Sequence, residues 1–424
     1  MRALQAFSVG VIVVGLAGCG SGETKLPLMR VAGPSESALA RVTELTANGD
    51  LKGALARADE VVEQNPNSPT AYEARGSVYH KQREWDRALA DFDRAIALDP
   101  QSARLRNNRG FLRLSLEQFD AATEDFNESV KLSPEFVQAY NNRALVQIAQ
   151  GKYRQAIDDL DKALTLKPDY LDAANNRGFS LMNLRRWDRA LADFNRVLQI
   201  DRKHVNALAN RALVKQHLGD FSGSITDLTD AMLLDPDKAK YYAHRRDAYL
   251  AQGDVERARQ DDLKIQYLIQ LDEATAAITA KPQDAASYVA RAKLYRQRGD
   301  ERRCLDDLAK AIELSPTRAD ARLQRARLLC DAKQFAAAIA DCDAVLARGP
   351  NESAFSIRGD CRLAMEQVDE ALADFEQARR LDSAVADAYF LKGKELARKG
   401  DAEQAQAYHD KAVAVDPDVE TRLK

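Results

Sequence analysis

Small and apolar residues recur along the chain with a period of 34 residues, and prolines mark that period most clearly. Pro66, Pro100, Pro134 and Pro168 are spaced by 34, and Pro282, Pro316 and Pro350 resume the spacing after an interruption. If this proline is position 32 of a repeat, eleven repeats begin at residues 35, 69, 103, 137, 171, 205, 239, 285, 319, 352 and 386. Such a period indicates an array of repeats rather than two or three independent domains.

Each repeat has the pattern of two antiparallel helices. Position 20 is small in all eleven repeats and position 8 is glycine or alanine in nine, so two helices can approach closely at these points. Pairs such as Gly219-Asp220, at positions 15 and 16, are typical of a glycine that ends one helix and an aspartate that caps the next. The proline then ends the second helix. The pattern therefore predicts an all-α protein.

One repeat carries a particularly complete set of the recurring residues: Tyr72, Gly76, Tyr79, Ala88, Phe92, Ala95 and Pro100. This set resembles the signature of the tetratricopeptide repeat, and the other in-phase repeats extend the resemblance over residues 35–419. The resemblance implies an α-solenoid, a right-handed superhelix of about eleven helix-turn-helix repeats. It also implies that the first helix of each repeat lines a concave groove.

The seventh repeat departs from the pattern. It places Arg246 at position 8 and Asp262 at position 24, and twelve additional residues follow before the next repeat. We predict an unusually long helix over 255–281, with a break near Leu271 and Asp272 as an alternative, and a change of phase in the array. The predicted organisation is seven repeats at 35–272, an inserted helical segment at 273–284, four repeats at 285–419 and a tail at 420–424.

The N-terminal residues have a different character. Met1 and Arg2 precede an apolar run over 3–16 that is too short to span a bilayer but suits a secretory signal peptide. The sequence Leu16-Ala17-Gly18-Cys19 resembles the lipobox of bacterial lipoproteins. That resemblance implies a signal peptide at 1–18, a lipidated Cys19 with acyl chains such as palmitate, and a flexible linker at 19–34. The alternative is an ordinary signal peptide and an unmodified cysteine.

These features predict a protein that is held at a membrane of the bacterial cell envelope by its lipid alone. Gly20, rather than aspartate, follows Cys19, which in enterobacteria favours the periplasmic face of the outer membrane over the inner membrane. We expect the outer membrane and leave the inner membrane open.

The charge balance narrows the possible functions. The 62 lysines and arginines nearly match the 65 aspartates and glutamates, so the net charge of −3 lacks the basic excess of nucleic-acid-binding proteins. The five histidines have no metal-ligand spacing, and the sequence contains neither a phosphate-binding glycine loop nor a nucleophile motif. We therefore predict no nucleic acid partner, no cofactor, no metal and no enzymatic activity.

Arginine and aspartate recur together at positions 7 and 23 of the second to tenth repeats. The pairs are Arg75 with Asp91, Arg109 with Asp125, Arg143 with Asp159, Arg177 with Asp193, Arg211 with Asp227, Arg245 with Asp261, Arg291 with Asp307, Arg325 with Asp341, and Arg358 with Asp374. In a helical hairpin these positions lie near one another and near the next repeat, so we interpret them as ion pairs that orient the helices. The alternative is a cationic groove for acidic tails or phosphate.

Asparagine forms a second ladder. Asn108, Asn142, Asn176 and Asn210 occupy position 6 of four consecutive repeats, and Asn107, Asn141 and Asn175 precede the first three. An amide both donates and accepts hydrogen bonds, so it can hold the backbone of an extended peptide without reading its sequence. The run resembles the asparagine ladder in the superhelix of O-linked N-acetylglucosamine transferase, which implies peptide binding in the groove. The alternatives are an ordinary solvated helix face and recent duplication of the repeat, and the lysines of a chaperone-type carboxylate clamp are not in place.

Four cysteines lie in three adjacent repeats: Cys304, Cys330, Cys342 and Cys361. The predicted compartment is oxidising, which makes disulfides conceivable. Cys304 and Cys342, however, occupy ordinary packing positions, and helix-pair geometry places no two of the four opposite each other. We therefore predict free and buried thiols.

The sequence thus predicts an envelope lipoprotein that acts as a protein–protein interaction scaffold or adaptor and binds extended segments of other envelope proteins in its groove. One alternative is a binder of a non-protein ligand such as cell-wall glycan. Another is self-assembly, since only Asp418 to Lys424 follow the last repeat and leave no cap helix. The partner, its pathway and the oligomeric state stay open.

Overall fold

The computed structural model describes residues 34–423, which form twenty-three α-helices and no β-strand. The predicted signal peptide, Cys19 and nearly all of the predicted linker lie outside these residues. Within residues 34–423, no helix combines the length and the apolar character that crossing a bilayer requires. The chain divides between Asp261 and Asp262 into two compact units, which we call the N-terminal unit and the C-terminal unit.

Helices of the N-terminal unit follow one another in pairs. They are α1 (Glu36–Ala47), α2 (Leu51–Gln64), α3 (Pro69–Gln82), α4 (Trp85–Leu98), α5 (Ala103–Ser115), α6 (Phe119–Leu132), α7 (Val137–Ala149), α8 (Tyr153–Leu166), α9 (Leu171–Asn183), α10 (Trp187–Ile200), α11 (Val205–His217), α12 (Phe221–Leu234), α13 (Ala239–Ala251) and the start of α14 (Val255–Ala280). Each odd-numbered helix up to α11 packs against the next helix, and from α5 to α13 the first helices of successive repeats also touch one another. We call the surface formed by these first helices the first-helix face.

The C-terminal unit continues the pairing after the remainder of α14. Its helices are α15 (Ala285–Gln297), α16 (Glu301–Leu314), α17 (Ala319–Asp331), α18 (Phe335–Leu346), α19 (Glu352–Ala364), α20 (Val368–Gln377), α21 (Ser383–Arg398), α22 (Ala402–Val415) and the short α23 (Val419–Arg422). Within each unit the paired helices pack in sequence order as in a solenoid, and the predicted all-α solenoid fold is confirmed.

Local chemistry explains where the helices begin and end. Asp50, Asp220, Asp300 and Asp401 each accept a hydrogen bond from the backbone N–H three residues further on, as expected of an N-cap. The glycine before each of them is left-handed, with φ between 72° and 88°. Glycine adopts that conformation at the least cost. Five other repeats also have a left-handed residue at position 15, namely Arg83, Glu117, Arg185, Lys333 and Glu366.

Close helix contacts explain the small residues. A Cβ atom added to Gly178 would lie 2.8 Å from the ring of Phe194, and one added to Gly110 would lie 2.9 Å from that of Phe126. Both phenylalanines are fully buried, so the missing side chain at position 8 makes room for the aromatic ring of the second helix.

Helix α14 is longer than any other helix in the described residues. It runs without interruption from Val255 to Ala280, and the break considered near Leu271 and Asp272 is absent. The segment contains neither glycine nor proline, so nothing in its backbone favours a break. The division between the two units lies within this helix, earlier in the chain than residue 272, where we predicted the end of the first array.

The residues after the eleventh repeat differ from expectation, because they form a cap. The short helix α23 packs on α21 and α22, and Val419 is fully buried there. Arg422 pairs with Asp387 and Asp416, both at 2.7 Å, and His409 pairs with Glu420. One turn of helix therefore covers part of the last repeat.

Candidate functional site

The arginine and aspartate ladder forms a continuous framework of ion pairs. In each of the nine predicted pairs the guanidinium bonds both carboxylate oxygens of its aspartate, as in Arg177, whose Nε and Nη2 lie 2.8 and 2.6 Å from Asp193. The nine aspartates are buried. Hydrogen bonding to Asp159 raises the pKa of Arg143, and burial opposes that shift only in part. The predicted pairing is confirmed.

Eight of these nine arginines, all except Arg325, also bond to the helix that precedes their own. The remaining guanidinium nitrogen of Arg109 reaches Asp93 of the preceding repeat at 2.7 Å, and Arg143 reaches Asn127 at 2.9 Å in the same way. Equivalent bonds run from Arg75 to Asp59, Arg177 to Asp161, Arg211 to Asn195, Arg245 to Thr229, Arg291 to Thr275 and Arg358 to Asp343. Because these guanidinium groups are engaged within the protein, the ladder orients repeats and does not offer free cations to a ligand.

The asparagines bond to one another rather than standing free. Nδ2 of Asn142 donates to Oδ1 of Asn107 at 2.9 Å, and Asn176 donates to Asn141 at 2.9 Å. Asn210 donates to Asn175 at 3.3 Å. In the third to sixth repeats, the asparagine at position 6 thus donates to the residue at position 5 of the repeat before it. We call this row the amide chain: Glu73, Asn107, Asn108, Asn141, Asn142, Asn175, Asn176 and Asn210.

Glu73 begins the amide chain, and it was not among the residues predicted from the sequence. Its Oε1 accepts hydrogen bonds from Asn108 at 2.8 Å and from Arg104 at 2.5 Å. Its side chain is buried, and burial raises the pKa of Glu73 while Arg104 opposes the shift. The signal in the sequence is that Glu73 occupies position 5, in line with Asn107, Asn141 and Asn175. The amide chain ends at Asn210. Position 5 of the same repeat is Ala209, which offers no side-chain acceptor to the next repeat.

Burial divides the amide chain into an inner and an outer row. Asn107, Asn141 and Asn175 are buried, with 4–8% of their surface exposed, whereas the four asparagines at position 6 are only half-buried. A carboxamide has two N–H groups and two acceptor lone pairs. The bond to the preceding repeat uses one N–H of each outer asparagine. Oδ1 of Asn108 and of Asn142 also accepts a bond from the neighbouring inner asparagine, at 3.4 and 3.3 Å. Each outer asparagine therefore keeps one N–H and at least one acceptor lone pair.

An apolar stripe accompanies the amide chain, and this feature was not predicted from the sequence either. Position 9 carries Phe111, Leu145, Phe179 and Leu213, all half-buried, in the same four repeats that carry asparagine at position 6. Residues three apart lie on one face of a helix, so the apolar stripe runs beside the outer asparagines. The sequence does contain a signal for the apolar stripe, because position 9 is apolar only in these four consecutive repeats and the next repeat has Asp247 there.

The first helices of the C-terminal unit carry different chemistry at the same positions. Position 6 holds Ala290, Gln324, Ile357 and Leu391, and position 9 holds Lys293, Arg327, Asp360 and Lys394. Lys293, Arg296, Gln297 and Gln324 line a groove of about 520 Å³. Arg327 pairs with Asp360 at 2.8 Å, and Arg380 bonds the other oxygen of that carboxylate. Neither an amide chain nor an apolar stripe continues among these residues.

The cysteines are free thiols, as predicted, but their placement differs from expectation. Cys304, Cys342 and Cys361 are buried and Cys330 is partly buried. Burial raises the pKa of Cys304 to about 11 and that of Cys342 to about 12. The expectation that no two thiols face each other is wrong, because Cys330 packs against the buried cluster that contains both Cys342 and Cys361. Direct contact of α17 with α19, which pattern reasoning within one hairpin does not include, brings them together.

Between residues 34 and 423, no group of three or more His, Cys, Asp or Glu side chains is arranged to hold a metal ion.

Comparison with solved structures gives similarities of low identity. PilF of Pseudomonas aeruginosa is 20% identical over 50% of this chain and 96% of its own, with a TM-score of 0.45. PilW, a type IV pilus biogenesis factor, is 18% identical over 49% and 96%, with a TM-score of 0.45. A tetratricopeptide repeat protein of Parabacteroides merdae is 19% identical over 61% and 93%, with a TM-score of 0.39. These scores are below 0.5 and carry no argument about this chain. No curated protein sequence matches it.

Family models identify the repeats themselves. Four models, each described as tetratricopeptide repeat, match residues 76–140 and 178–260, residues 39–103 and 358–420, residues 137–170, and residues 285–318. Together they cover well over half of the chain and both of its compact units. Proteins built of this repeat generally serve as non-enzymatic scaffolds for protein–protein interaction. With its eleven helix pairs in phase with these matches, the chain belongs to the tetratricopeptide repeat family.

Proposed function

We propose that this protein is an adaptor that binds an extended segment of a partner protein along the first helices of repeats three to six. The observation that carries the proposal is the parallel run of the amide chain and the apolar stripe over four consecutive repeats. One row offers hydrogen bonds to a peptide backbone, and the other offers apolar contact to peptide side chains.

The spacing of the repeats suits an extended chain. Helices in direct contact lie roughly 8–10 Å apart. An extended peptide rises about 3.3 Å per residue, so roughly three residues span the distance from one first helix to the next. Each repeat then meets an equivalent point of the peptide backbone, and a segment of roughly twelve residues follows the four repeats.

The outer asparagines have the capacity for this role. Each is held in place from one side by its bond to the preceding repeat, as Asn142 is by Asn107. A side chain that is already ordered loses little conformational entropy when a ligand binds, which favours affinity. The remaining N–H and carbonyl groups pair with backbone carbonyls and N–H groups without regard to peptide sequence.

The test is calorimetric titration of the full chain with peptides that carry an apolar residue at every third position, with cell-wall glycan fragments as the second ligand class. We expect saturable peptide binding that is lost when Asn108, Asn142, Asn176 and Asn210 are all changed to alanine. Binding of glycan fragments alone, or peptide binding that survives this change, contradicts the proposal.

A matched control separates binding from stability, because the four substitutions also remove bonds between repeats. Asn127 and Asn195 lie on second helices, and each accepts a bond from an arginine of the next repeat at 2.9 Å. Changing both to alanine removes equivalent inter-repeat bonds away from the first-helix face. We expect this variant to bind peptide like the wild type at a temperature where both are folded.

We further propose that Cys19 carries the lipid that holds the adaptor at the cell envelope. The support is the sequence Leu16-Ala17-Gly18-Cys19 after a short apolar run. In bacterial cells fed labelled palmitate, we expect the wild type to take up the label and to fractionate with membranes. Cys19→Ala should do neither, and an unlabelled wild type contradicts the lipid anchor.

A further inference from the structure

Three thiols meet between the ninth and tenth repeats. Cys342 of α18 and Cys361 of α19 belong to one buried cluster, against which Cys330 of α17 packs. Cys342 and Cys361 are fully buried, whereas Cys330 is only partly buried. The first helices that carry Cys330 and Cys361 touch directly, and burial and then the neighbouring Cys330 raise the pKa of the Cys361 thiol.

The equivalent contact in the N-terminal unit shows that packing does not require thiols here. Leu114 and Val146 occupy the positions that correspond to Cys330 and Cys361, and they pack together in a buried cluster. Two cysteines in direct contact supply covalent chemistry that leucine and valine lack. Formation of a disulfide requires two cysteines held side by side. The contact of α17 with α19 brings Cys330 and Cys361 to the same cluster.

We propose that Cys330 and Cys361 form an oxidation site that cross-links α17 to α19 when the protein meets a disulfide oxidant. The Cys330 thiolate attacks one sulfur of an oxidant RSSR, which forms the mixed disulfide Cys330–S–S–R and releases one RSH. The Cys361 thiolate then attacks the Cys330 sulfur and releases the second RSH. The two cysteines lose two electrons and two protons in total, and the oxidant takes up both.

Exposure sets the order of these steps. Cys330 is the thiol that an external oxidant can reach, because it is only partly buried. Burial raises the pKa of the Cys361 thiol well above its ordinary value, so Cys361 reacts once a mixed disulfide is beside it rather than with solvent. Cys342 is fully buried, and burial raises the pKa of its thiol to about 12, so we expect it to stay reduced.

The product would fasten the first helices of two repeats to each other. The bond closes a loop of about thirty residues, which restricts the unfolded chain and stabilises the folded state. We expect oxidation to raise the melting temperature of the wild type and to leave that of Cys330→Ala unchanged.

The test uses the full chain with Cys19→Ala in every variant, so that only the four cysteines of the repeats can react. The protein is incubated with oxidised glutathione, blocked with N-ethylmaleimide and mapped by mass spectrometry of its peptides. We expect one cross-linked peptide joining Cys330 to Cys361 and a chain lighter by two hydrogen atoms. Cys304→Ala and Cys342→Ala are the matched controls and should keep the cross-link.

Variants of the pair separate the two steps. Cys361→Ala should stop at a glutathione adduct on Cys330, and Cys330→Ala should show neither adduct nor cross-link. Alanine replaces each cysteine by another small apolar residue, and circular dichroism verifies that the helices persist. A cross-link between Cys330 and Cys342, glutathione adducts without a cross-link in the wild type, or four unmodified thiols would overturn the proposal.

Discussion

The first helices of the two units share a framework but differ in the surface they present. Both units repeat the same bidentate pairs, as in Arg177 with Asp193 and Arg358 with Asp374. In the N-terminal unit, however, position 6 is asparagine and position 9 is apolar in four consecutive repeats, whereas the C-terminal unit places Lys293, Arg327 and Asp360 at position 9. The framework is therefore independent of the chemistry of the face it supports.

This difference separates the residues that maintain the fold from those that determine what each face can bind. Positions 7 and 23 pair in the second to tenth repeats, position 8 is glycine or alanine in nine repeats, and position 20 is small in all eleven. These positions therefore recur in both units. Positions 5, 6 and 9 face outward or toward the neighbouring repeat, and they change between the units. A neutral face with regular amides suits a peptide backbone, while a charged face favours a ligand of complementary charge.

The largest effect should come from removing an arginine of the framework, and its size should depend on whether the buried aspartate keeps a second side-chain donor. Arg177→Ala leaves the buried Asp193 without the only side-chain donor it has among the described residues, so we expect a loss of about 3–5 kcal/mol. In Arg325→Ala, Asp341 keeps its bond to Arg322 at 2.8 Å, so we expect only about 1–2 kcal/mol.

Chemical denaturation of both variants measures these losses, and a paired variant is the control. Replacing Arg177 and Asp193 together by leucine removes the unpaired charge, so it should cost less than Arg177→Ala alone. Equal losses for Arg177→Ala and Arg325→Ala, or no loss in either, would contradict the role assigned to these pairs.

The second effect concerns binding and exchanges the chemistry of position 9 between the units. Leu145→Lys introduces a charge into the apolar stripe, and we expect it to weaken peptide binding about tenfold, or 1.4 kcal/mol. Lys293→Leu makes the opposite change in the C-terminal unit and should leave peptide affinity unaltered. Calorimetric titration of both variants with one peptide makes the comparison, and a weaker affinity in Lys293→Leu would show that both faces bind it.

The smallest effect is a pH dependence at the start of the amide chain. Burial raises the pKa of Glu73, so this group favours the folded state at acidic pH and loses that contribution as the pH rises through its folded pKa. We expect Glu73→Gln to melt slightly higher than the wild type at pH 7. The difference should vanish below about pH 4, where an ordinary glutamate is also protonated. A wild type that is the more stable protein at pH 7 would show that the bonds from Arg104 and Asn108 outweigh burial.

Much of the fold could be predicted from the sequence, because the features that define a helical hairpin occupy fixed positions in each repeat. The close contact of Gly178 with Phe194 and the pairing of Arg143 with Asp159 both lie within one hairpin, so repeat phase places the partners together. The continuity of α14 was also readable in principle, since Val255–Ala280 contains neither glycine nor proline.

Contacts between repeats were harder to predict. The bond from Asn142 to Asn107 joins residues 35 apart in neighbouring first helices. The packing of Cys330 against the cluster that contains Cys361 also joins neighbouring first helices. Both depend on how successive first helices lie against each other, and the pattern within one repeat does not determine that. The asparagines could be recognised as candidates from their repeated position. Their mutual bonding and the role of Glu73 could not, because both depend on how neighbouring repeats pack.

The central claim is that an extended partner segment follows the first helices of repeats three to six in a fixed register. The direct measurement is photo-crosslinking of a bound peptide from a photoreactive residue placed in turn at Phe111, Leu145, Phe179 and Leu213, with Lys293 as the matched position in the C-terminal unit. We expect the four sites to label peptide residues that advance by about three from one repeat to the next, and we expect no label from Lys293. Labels that fall on one peptide residue from all four sites, or equal labelling from Lys293, would contradict it.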